Sequence, residues 1–394
     1  MDAYSYDILS QWVLEFAGEY MESSAQYTSD GNYLTKVTGS DGQSVSYAYD
    51  TTKGNLTSVT EPGTKTTSYT YNAANDLLTK VSQSGSSVAY EYVKRKLTGI
   101  TSPNGTKYTF DYNAFSQCTA TMVGNRTLAT NSFDTLGRLK NTVYGNGNKV
   151  ENVYDNLSRV TSVKYDNVTK VNYTYDNDGN VSKIDDKFSN ITSAFRYDSI
   201  KRPISKVMSN GYSAEVRYDD KNRVESTVVS IGSEEHKTTY GYDKTGIITN
   251  VKSTYGDWLV GQYYDFDALK RVAYKYTEID GDEVGWQEYI YAPGKTAGST
   301  TSLVSEYSTN GGNSFQYSYD DRGNITQIIR NGVVEATYTY DSFDRLVSET
   351  ANGVTTTWTY DANGNILTKT SDGTTVNYTY GDSSWKDLLT NYNG

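Results

Sequence analysis

The sequence of 394 residues has very few of the residues that build catalytic and cross-linked sites. It contains one cysteine, Cys118, and one histidine, His236. One cysteine cannot form a disulfide within the chain, and these two residues cannot supply the four ligands of a structural zinc site. His236 follows two glutamates and is expected in a solvated loop, and Cys118 is expected to pack as a small apolar residue. We therefore expect no enzyme activity, no catalytic, cofactor-binding or metal-binding residues, and no cofactor.

Long apolar runs and basic clusters are also lacking. No stretch of about 20 apolar residues is present, as a membrane-spanning helix would need, and the first residues lack the pattern of a signal peptide. The net charge is −11 and the isoelectric point is about 4.8. Because nucleic acids and anionic membranes attract clustered Lys and Arg, we expect neither nucleic-acid binding nor membrane insertion.

Aliphatic residues are scarce as well, and the mean hydropathy is −0.67. A chain of this kind would be disordered if it were also poor in aromatic residues. It instead contains 39 tyrosines against 9 phenylalanines, together with 33 glycines. Since tyrosine combines a large ring with a polar tip, this composition favours half-buried β-strands joined by turns.

The tyrosines belong to a repeat. The stretch VNYTYDNDGNVSKI, residues 171–184, has close copies that begin at Ala336 and Thr357. We take the last tyrosine of each Tyr-x-Tyr-Asp group, or its equivalent, as the marker of a unit. About 17 units of 20–28 residues follow, and eleven markers precede an aspartate. The markers are Tyr27, Tyr49, Tyr71, Tyr92, Tyr112, Phe133, Tyr154, Tyr175, Tyr197, Tyr218, Tyr242, Phe266, Tyr291, Tyr319, Tyr340, Tyr360 and Tyr380.

Each unit has the pattern of a β-hairpin. Rings alternate before the marker, as at Tyr173 and Tyr175, which places them on one face of a strand. A turn rich in Asp, Asn and Gly follows, then a second strand, then a second turn that often contains Asn-Gly. The sequence therefore predicts an all-β fold of tandem hairpins in one long antiparallel sheet. Such a sheet has to curl into a spiral, a closed tube or a wall.

The Tyr-Asp group is interpreted as a structural joint. We expect the aspartate to fix the turn, the tyrosine to cover a neighbouring turn, and the arginine five residues after the marker to pair with an aspartate of the same or the adjacent joint. Units between Tyr218 and Tyr319 are longer than the rest. Their extra residues are predicted to lengthen exposed loops, at 279–287 and 308–314, because added loop length costs little.

Two regions are distinguished. Residues 27–394 form the repeat array. Residues 1–26 are a separate N-terminal segment, in which the spacing of apolar residues fits a helical plug and Tyr6-Asp7 fits a degenerate repeat. Both alternatives are kept.

The motif Tyr-Asp-x-x-Gly followed by Arg or Asn, repeated every 21 residues or so over 27–394, resembles the YD repeat of the Rhs family. Teneurins and the cocoon component of insecticidal Tc toxins belong to the same broad group. The resemblance implies a β-strand spiral that encloses a hollow shell, which holds a C-terminal toxic domain in bacterial members. The final YTYGDSSWKDLLTNYNG is similar to a late repeat. The core segment of the family, with its Asp-Pro motif, does not match any part of the sequence, so we expect a piece of shell wall from a larger protein.

The expected function is therefore that of a non-catalytic scaffold segment in a secreted YD-repeat protein of a Gram-positive bacterium. Its expected partner is the C-terminal toxin or effector of a polymorphic toxin, and its expected location is outside the cell or at the cell wall. The alternative is an adhesion or carbohydrate-binding module whose partner is a cell-surface glycan or receptor. Choline-binding repeats fit less well, because they need tryptophan in each unit and this chain has five.

Overall fold

The computed structural model describes residues 5–6, 11–16 and 19–393. These residues form 36 strands and a short 3₁₀ helix at Pro62–Thr64. Each strand pairs in antiparallel fashion with the next strand in the chain, from β1–β2 to β35–β36, so the sheet is one continuous meander. The prediction of an all-β fold built from tandem hairpins is confirmed.

The first twelve strands are β1 (Ser5–Tyr6), β2 (Gln11–Phe16), β3 (Glu19–Tyr27), β4 (Leu34–Thr38), β5 (Ser44–Asp50), β6 (Asn55–Thr60), β7 (Thr66–Tyr71), β8 (Leu78–Gln83), β9 (Ser86–Val93), β10 (Lys96–Thr101), β11 (Lys107–Tyr112) and β12 (Cys118–Val123). The next twelve are β13 (Arg126–Phe133), β14 (Leu139–Tyr144), β15 (Lys149–Tyr154), β16 (Val160–Tyr165), β17 (Val168–Tyr175), β18 (Val181–Asp186), β19 (Ile191–Tyr197), β20 (Pro203–Met208), β21 (Tyr212–Tyr218), β22 (Val224–Ile231), β23 (Glu234–Tyr242) and β24 (Ile248–Tyr255). The last twelve are β25 (Trp258–Phe266), β26 (Val272–Ile279), β27 (Asp282–Pro293), β28 (Thr300–Thr309), β29 (Ser314–Tyr319), β30 (Ile325–Arg330), β31 (Val333–Tyr340), β32 (Leu346–Ala351), β33 (Val354–Tyr360), β34 (Ile366–Ser371), β35 (Thr374–Thr379) and β36 (Asn391–Tyr392).

The N-terminal segment continues the sheet. Residues 5–6, 11–16 and 19–27 are strands, and β2 pairs with β3 over six residue pairs. Of the two alternatives drawn from the sequence, the described residues therefore have the strand structure and not the helical one.

Two kinds of connection alternate along the meander. Corners, which follow the marker tyrosines, join each odd-numbered strand to the next even one. Distal turns join each even-numbered strand to the next odd one and are often two residues long. Asn331 and Gly332 form such a turn with φ values of 50° and 80°, the positive pair that a tight hairpin needs. All corners therefore lie along one edge of the sheet and all distal turns along the other.

Early distal turns contact corners that lie 23 strands further along the chain. At the distal turn β4–β5, the Ser40 carbonyl accepts a hydrogen bond of 2.7 Å from the backbone N–H of Lys295, in the corner β27–β28. At the distal turn β10–β11, the N–H of Asn104 donates to Oδ1 of Asn363, in the corner β33–β34, at 2.9 Å. We call this line of contacts the seam. The sheet therefore closes on itself as a spiral with 23 strands in a turn.

The spacing of strands gives the size of the spiral. At about 4.8 Å per strand, one turn has a circumference of about 110 Å and a backbone diameter of about 35 Å. The accessible surface is 23579 Å², whereas a compact monomer of the same mass would expose about 15,000 Å². The excess shows that, in the described part of the chain, the wall is one sheet thick and has no packed layer behind it.

The seam contains most of the deeply buried residues. Among the described residues, ten are buried, and six of these lie in or beside seam connections: Ser40, Thr106, Val123, Ser299, Thr300 and Thr301. Five of the six have small polar side chains, as close contact between two hydrogen-bonded edges requires. Closure of the spiral, and not stacking of layers, is what removes side chains from water.

Residues 381–390 form the end of the seam, and we call them the clasp. Trp385 Nε1 donates to the Tyr108 hydroxyl at 3.0 Å, and Arg126 forms a 2.8 Å ion pair with Asp382. Asp387 accepts hydrogen bonds from the Asn104 side chain at 2.7 Å and from three other residues: Tyr108, Asn363 and Asn365. The clasp is thus the connection between the paired strands β35 and β36, and it binds the first turn of the spiral.

The extra residues of the long units lie mainly in strands. Strands β22–β28 contain 8–12 residues each, and β26 pairs with β27 as far as Ile279 and Asp282, which leaves a two-residue tip. The prediction of longer loops is wrong, although the tips at 280–281 and 311–312 are exposed as expected. When neighbouring strands lengthen together, every added N–H and C=O group gains a partner, which a longer loop would not provide.

The seam can be tested by adding a methyl group at Gly124, in the distal turn β12–β13. A Cβ atom there would lie 2.5 Å from Cβ of Ser384, in the clasp. The control is Gly147→Ala, since Gly147 also has a positive φ but has no heavy atom of the described chain within 4 Å of its Cβ position. We expect Gly124→Ala to lower the free energy of unfolding by about 1–3 kcal/mol more than the control does, as overpacking does elsewhere. Equal losses in chemical denaturation would show that the seam does not hold the spiral closed.

Candidate functional site: the tyrosine-aspartate corner

The aspartate that follows most markers closes its corner. In the corner 155–159, Asp155 Oδ1 accepts the backbone N–H groups of Leu157 and Arg159, each at 2.9 Å. The backbone N–H of Asp155 in turn donates to the Arg159 carbonyl at 2.9 Å. The same contacts recur at Asp134, Asp198, Asp219, Asp267 and Asp341. A side chain that satisfies two turn N–H groups fixes the five-residue loop, which explains why aspartate recurs here.

The arginine of the corner joins its own aspartate to the next unit. Nε of Arg159 donates to Asp155 Oδ2 at 2.8 Å, and the guanidinium carbon lies 4.3 Å from the ring centroid of Tyr175, the next marker. Equivalent pairs occur at Arg138, Arg202, Arg223, Arg271 and Arg345. The expected pairing with the aspartate of the same corner is observed, and the ring of the next unit lies over the other side of the guanidinium.

The hydroxyls of ten marker tyrosines reach back to the preceding corner. Tyr175 donates to the Val160 carbonyl at 2.7 Å, and nine other markers make the same bond: Tyr112, Tyr154, Tyr197, Tyr218, Tyr242, Tyr291, Tyr319, Tyr340 and Tyr360. Val160 begins β16, whose ladder with β17 starts only at Ser162 and Asn172. The Val160 carbonyl therefore has no ladder partner on that side, and the tyrosine hydroxyl satisfies it.

Contacts within the corner lower the pKa of aspartates and raise the pKa of tyrosines. The backbone N–H of Arg159 lowers the pKa of Asp155, and the Asn180 side chain lowers the pKa of Asp176. Burial raises the pKa of Tyr175, while the Arg159 charge acts against this. Burial also raises the pKa of Tyr319 and Tyr340. The corner therefore favours ionised aspartates and neutral tyrosines, as hydrogen bonds of this polarity require.

The two residues with reactive side chains lie apart from one another. His236 is in β23, half-buried, with Nδ1 3.3 Å from the Thr254 carbonyl and its ring 5.3 Å from that of Tyr255. The expectation of a loop position is wrong, because β23 is one of the lengthened strands. Cys118 begins β12 and is half-buried. Within the described residues, no group of three His, Cys, Asp or Glu side chains could hold a metal ion, and no helix has the length and apolar character needed to cross a membrane.

One cluster of rings departs from the corner pattern. Tyr263 and Tyr276 are cross-strand partners with ring centroids 4.7 Å apart, and Tyr274 and Trp286 stack at 5.9 Å. Tyr276 is paired with Trp286 in the ladder, so the four rings share one face of β25–β27. Sequence analysis did not identify this cluster, since its residues become neighbours only through the register of the lengthened strands.

The sequence and the fold both have relatives. The RHS Repeat family matches residues 51–88, 319–351 and 340–376. No curated protein matches the sequence. The solved structure of TcdB2-TccC3-TEV aligns with a TM-score of 0.69 and 14% identity over 96% of this chain and 24% of that chain. TcdB2-TccC3-Cdc42 aligns with a TM-score of 0.63 and 14% identity over 94% of this chain and 26% of that chain.

A chain of the Photorhabdus luminescens Tc holotoxin pore also aligns. Its TM-score is 0.56 and its identity 15%, over 91% of this chain and 22% of that chain. At such identity the likeness shows the fold. This chain thus spans about a quarter of the length of the solved chains that it matches.

The tyrosine hydroxyl can be tested by Tyr175→Phe. The substitution leaves the Val160 carbonyl without a partner, and we expect a loss of about 1 kcal/mol in the free energy of unfolding. Tyr173→Phe is the control, because no hydrogen bond of the Tyr173 hydroxyl occurs within the described chain. Amide exchange should rise mainly in β15–β18, since repeat arrays are coupled between nearest neighbours. An equal effect of both substitutions on stability and exchange would show that the hydroxyl bond does not couple units.

The pKa shifts predict instability at both ends of the pH range. Stability from corner aspartates such as Asp155 and Asp176 is present above about pH 4, the unfolded value, and is lost as the pH falls through their lowered folded pKa. Stability from marker tyrosines such as Tyr175, Tyr319 and Tyr340 is present below about pH 10 and is lost as the pH rises through their raised folded pKa. The free energy of unfolding, measured by chemical denaturation across pH, should fall at acid and at alkaline pH. Asp176→Asn should make the fall at acid pH smaller. Asn113, which forms an equivalent corner, shows that asparagine fits this position. If the free energy of unfolding of Asp176→Asn fell at acid pH as much as that of the wild type, the acid instability would not come from Asp176.

The corner thus joins each hairpin to the next through a closed loop, a stacked guanidinium and a hydroxyl bond, and it recurs along the chain with the period of the repeat. The matched repeats contain the same corner, and the fold of the whole array is that of the TcdB2-TccC3 chains. The chain therefore contains RHS repeats, also called YD repeats, in the matched segments 51–88, 319–351 and 340–376.

Proposed function

We propose that the chain is a non-catalytic segment of shell wall in a longer, secreted bacterial protein, and that this wall encloses or presents a C-terminal toxin or effector domain. The observation that carries the proposal is the single-layer spiral, whose surface of 23579 Å² far exceeds that of a compact protein. A wall one sheet thick exposes a large area on both faces. Such a wall is expected in a protein that has to enclose a space. The likeness to a Tc holotoxin chain supports the association with a toxin.

The corners support a mechanical role and not a chemical one. Their aspartates are occupied by turn N–H groups and arginine, and their tyrosine hydroxyls are occupied by backbone carbonyls. Groups committed to such bonds are not free to transfer protons to a substrate. Enclosure instead needs a wall that resists local opening, which these bonds provide.

A second function is favoured by the ring cluster. Tyr263, Tyr274, Tyr276 and Trp286 form an aromatic surface near Asp265 and Glu288, both exposed. Rings beside carboxylates suit a cell-surface glycan or a receptor, as in an adhesion module. On this second proposal the wall presents a binding surface and encloses nothing.

Limited proteolysis of the longer protein distinguishes the two functions. We expect the region after residue 394 to be cleaved at least tenfold more slowly in the intact protein than in the clasp variant Trp385→Ala/Arg126→Ala, which loses the ion pair and the indole bond of the seam. Cleavage at the same rate in both would contradict enclosure. Glycan binding by the present chain that is lost in Trp286→Ala would instead support adhesion.

A further inference from the structure

Three rings lie side by side across the middle of strands β25–β27. Tyr263, Tyr276 and Trp286 are successive ladder partners, and we call them the ring row. The rings of Tyr263 and Tyr276 are nearly parallel, with centroids 4.7 Å apart. Gly261 leaves room for the Tyr263 ring, because a Cβ atom at this position would lie 2.7 Å from a ring carbon.

Carboxylates flank the ring row on both sides. Towards the corners, Asp265 and Glu288 are the ladder partners of Tyr274, one on each neighbouring strand. Towards the distal turns, Glu278 and Glu283 are paired with one another. We call the ring row together with these four carboxylates the acidic ring patch.

The four carboxylates lack partners of opposite charge. Within the described part of the chain, none of them forms an ion pair or a side-chain hydrogen bond. Their charges act on the nearby rings instead. Burial raises the pKa of Tyr274, and Glu283 and Glu288 raise it further. Burial also raises the pKa of Tyr276, as do Glu278 and Asp265, so the patch is a site of negative potential.

The rings of the patch do not belong to the ordinary repeat. We compared the ladder positions of Tyr263, Tyr274 and Tyr276 with those of the units marked by Tyr175 and Tyr360. The equivalent positions there hold Asn172, Lys183 and Asp185 in the first unit and Thr357, Thr368 and Thr370 in the second. Polar side chains are therefore sufficient for the sheet at these positions. Tyrosine at all three in one unit indicates a role that is specific to this unit.

The patch lies on the face of the sheet opposite to the marker tyrosines. In β33, Thr355 and Thr357 on the patch face are exposed, whereas Thr356 and Tyr360 on the marker face are half-buried. Glu288 is exposed in the same way in β27. Side chains diverge on the convex face of a curved sheet and converge on the concave face. The patch is therefore on the convex, outer face, where a partner outside the wall can reach it.

The corners show what a carboxylate beside a tyrosine ring binds in this protein. Arg159 donates to Asp155 at 2.8 Å, and its guanidinium carbon lies 4.3 Å from the ring centroid of Tyr175. The acidic ring patch offers the same two kinds of group. Lys252 already places one cation at the end of the ring row, with Nζ 5.2 Å from the Tyr263 ring centroid. The patch is thus complementary to positively charged side chains.

We propose that the acidic ring patch binds an arginine-containing basic segment of a receptor protein, with guanidinium groups against the rings and paired with the carboxylates. This inference rests on the second function proposed above and gives it a ligand class. The net charge of −11 attracts a basic partner, and the unpaired carboxylates determine where it binds. Arginine suits the site better than lysine, because a planar guanidinium can stack on a ring and donate to a carboxylate at once.

Fluorescence anisotropy with a labelled peptide tests the proposal. The probe is Gly-Arg-Gly-Arg-Gly, and the matched peptide has citrulline in place of arginine, which keeps the shape of the side chain and removes its charge. At low salt, we expect the arginine peptide to bind the wild-type chain about tenfold more tightly than the citrulline peptide. The difference should shrink as the salt concentration rises, since salt screens the exposed carboxylates.

Variants of the chain locate the binding site. Asp265→Asn/Glu288→Gln should weaken binding of the arginine peptide about tenfold. Thermal unfolding of this variant should match the wild type, because both side chains are exposed and unpaired within the described chain. Trp286→Ala should also weaken binding. The control is Asp220→Asn/Glu225→Gln, which removes the same charge from two exposed side chains outside the patch and should bind the peptide like the wild type.

The outcomes separate this inference from the function on which it rests. Equal binding of the two peptides would overturn it, as would an equal loss of binding in the two double variants, since overall charge would then attract the peptide. Binding of an N-acetylglucosamine oligomer through Trp286, without binding of the arginine peptide, would overturn the ligand class and leave adhesion standing. Binding of the arginine peptide through the patch, without attachment of the chain to cultured cells, would support the ligand class and contradict adhesion.

Discussion

The hydrogen bond from the marker tyrosine to the corner before it, which ten units make, is the interaction on which the array depends. A hairpin meander has few side-chain links between one unit and the next, and its ladders stop short of the corner on one side. The Tyr175 hydroxyl fills that gap at the Val160 carbonyl, and its ring covers the Arg159 guanidinium that closes the corner. Each unit is therefore complete only when the next one has formed. Stability passes from neighbour to neighbour, as in other repeat proteins.

This mode of stabilisation explains how a large protein can lack a packed interior. Backbone ladders and half-buried rings stabilise the sheet locally, so neither face needs a second layer. Deep burial is instead concentrated where two edges of the spiral meet, at residues such as Thr106 and Val123. Small hydroxyl side chains suit that place, because two edges with turns at their rims can approach closely only where side chains are short. The seam is thus the nearest counterpart of a hydrophobic core.

The two edges of the sheet determine how the wall can be extended. Within the described residues, the spiral leaves one corner edge and one distal edge without partners, and sheet proteins usually blunt such edges with charge. Here Phe115, Leu136, Leu157 and Ile200 at the corners, and Tyr255 and Trp258 beside a distal turn, are apolar and exposed. Further repeats can be added at either edge without a change in the local structure of any unit.

The sequence by itself determined the hairpin, the corner and the polarity of the sheet. Alternating rings and a period of about 21 residues fix strand direction and turn position locally, and aspartate with arginine five residues after the marker fixes the loop. The tertiary structure decided the 23-strand turn, because a small rotation between adjacent strands accumulates over many units and no single unit encodes the sum. It also decided that the extra residues of the long units extend β22–β28, that His236 lies in a strand, and that residues 381–390 bind the first turn as a clasp. These outcomes depend on partners more than a hundred residues away or on the strand alongside, and a local pattern contains no record of either.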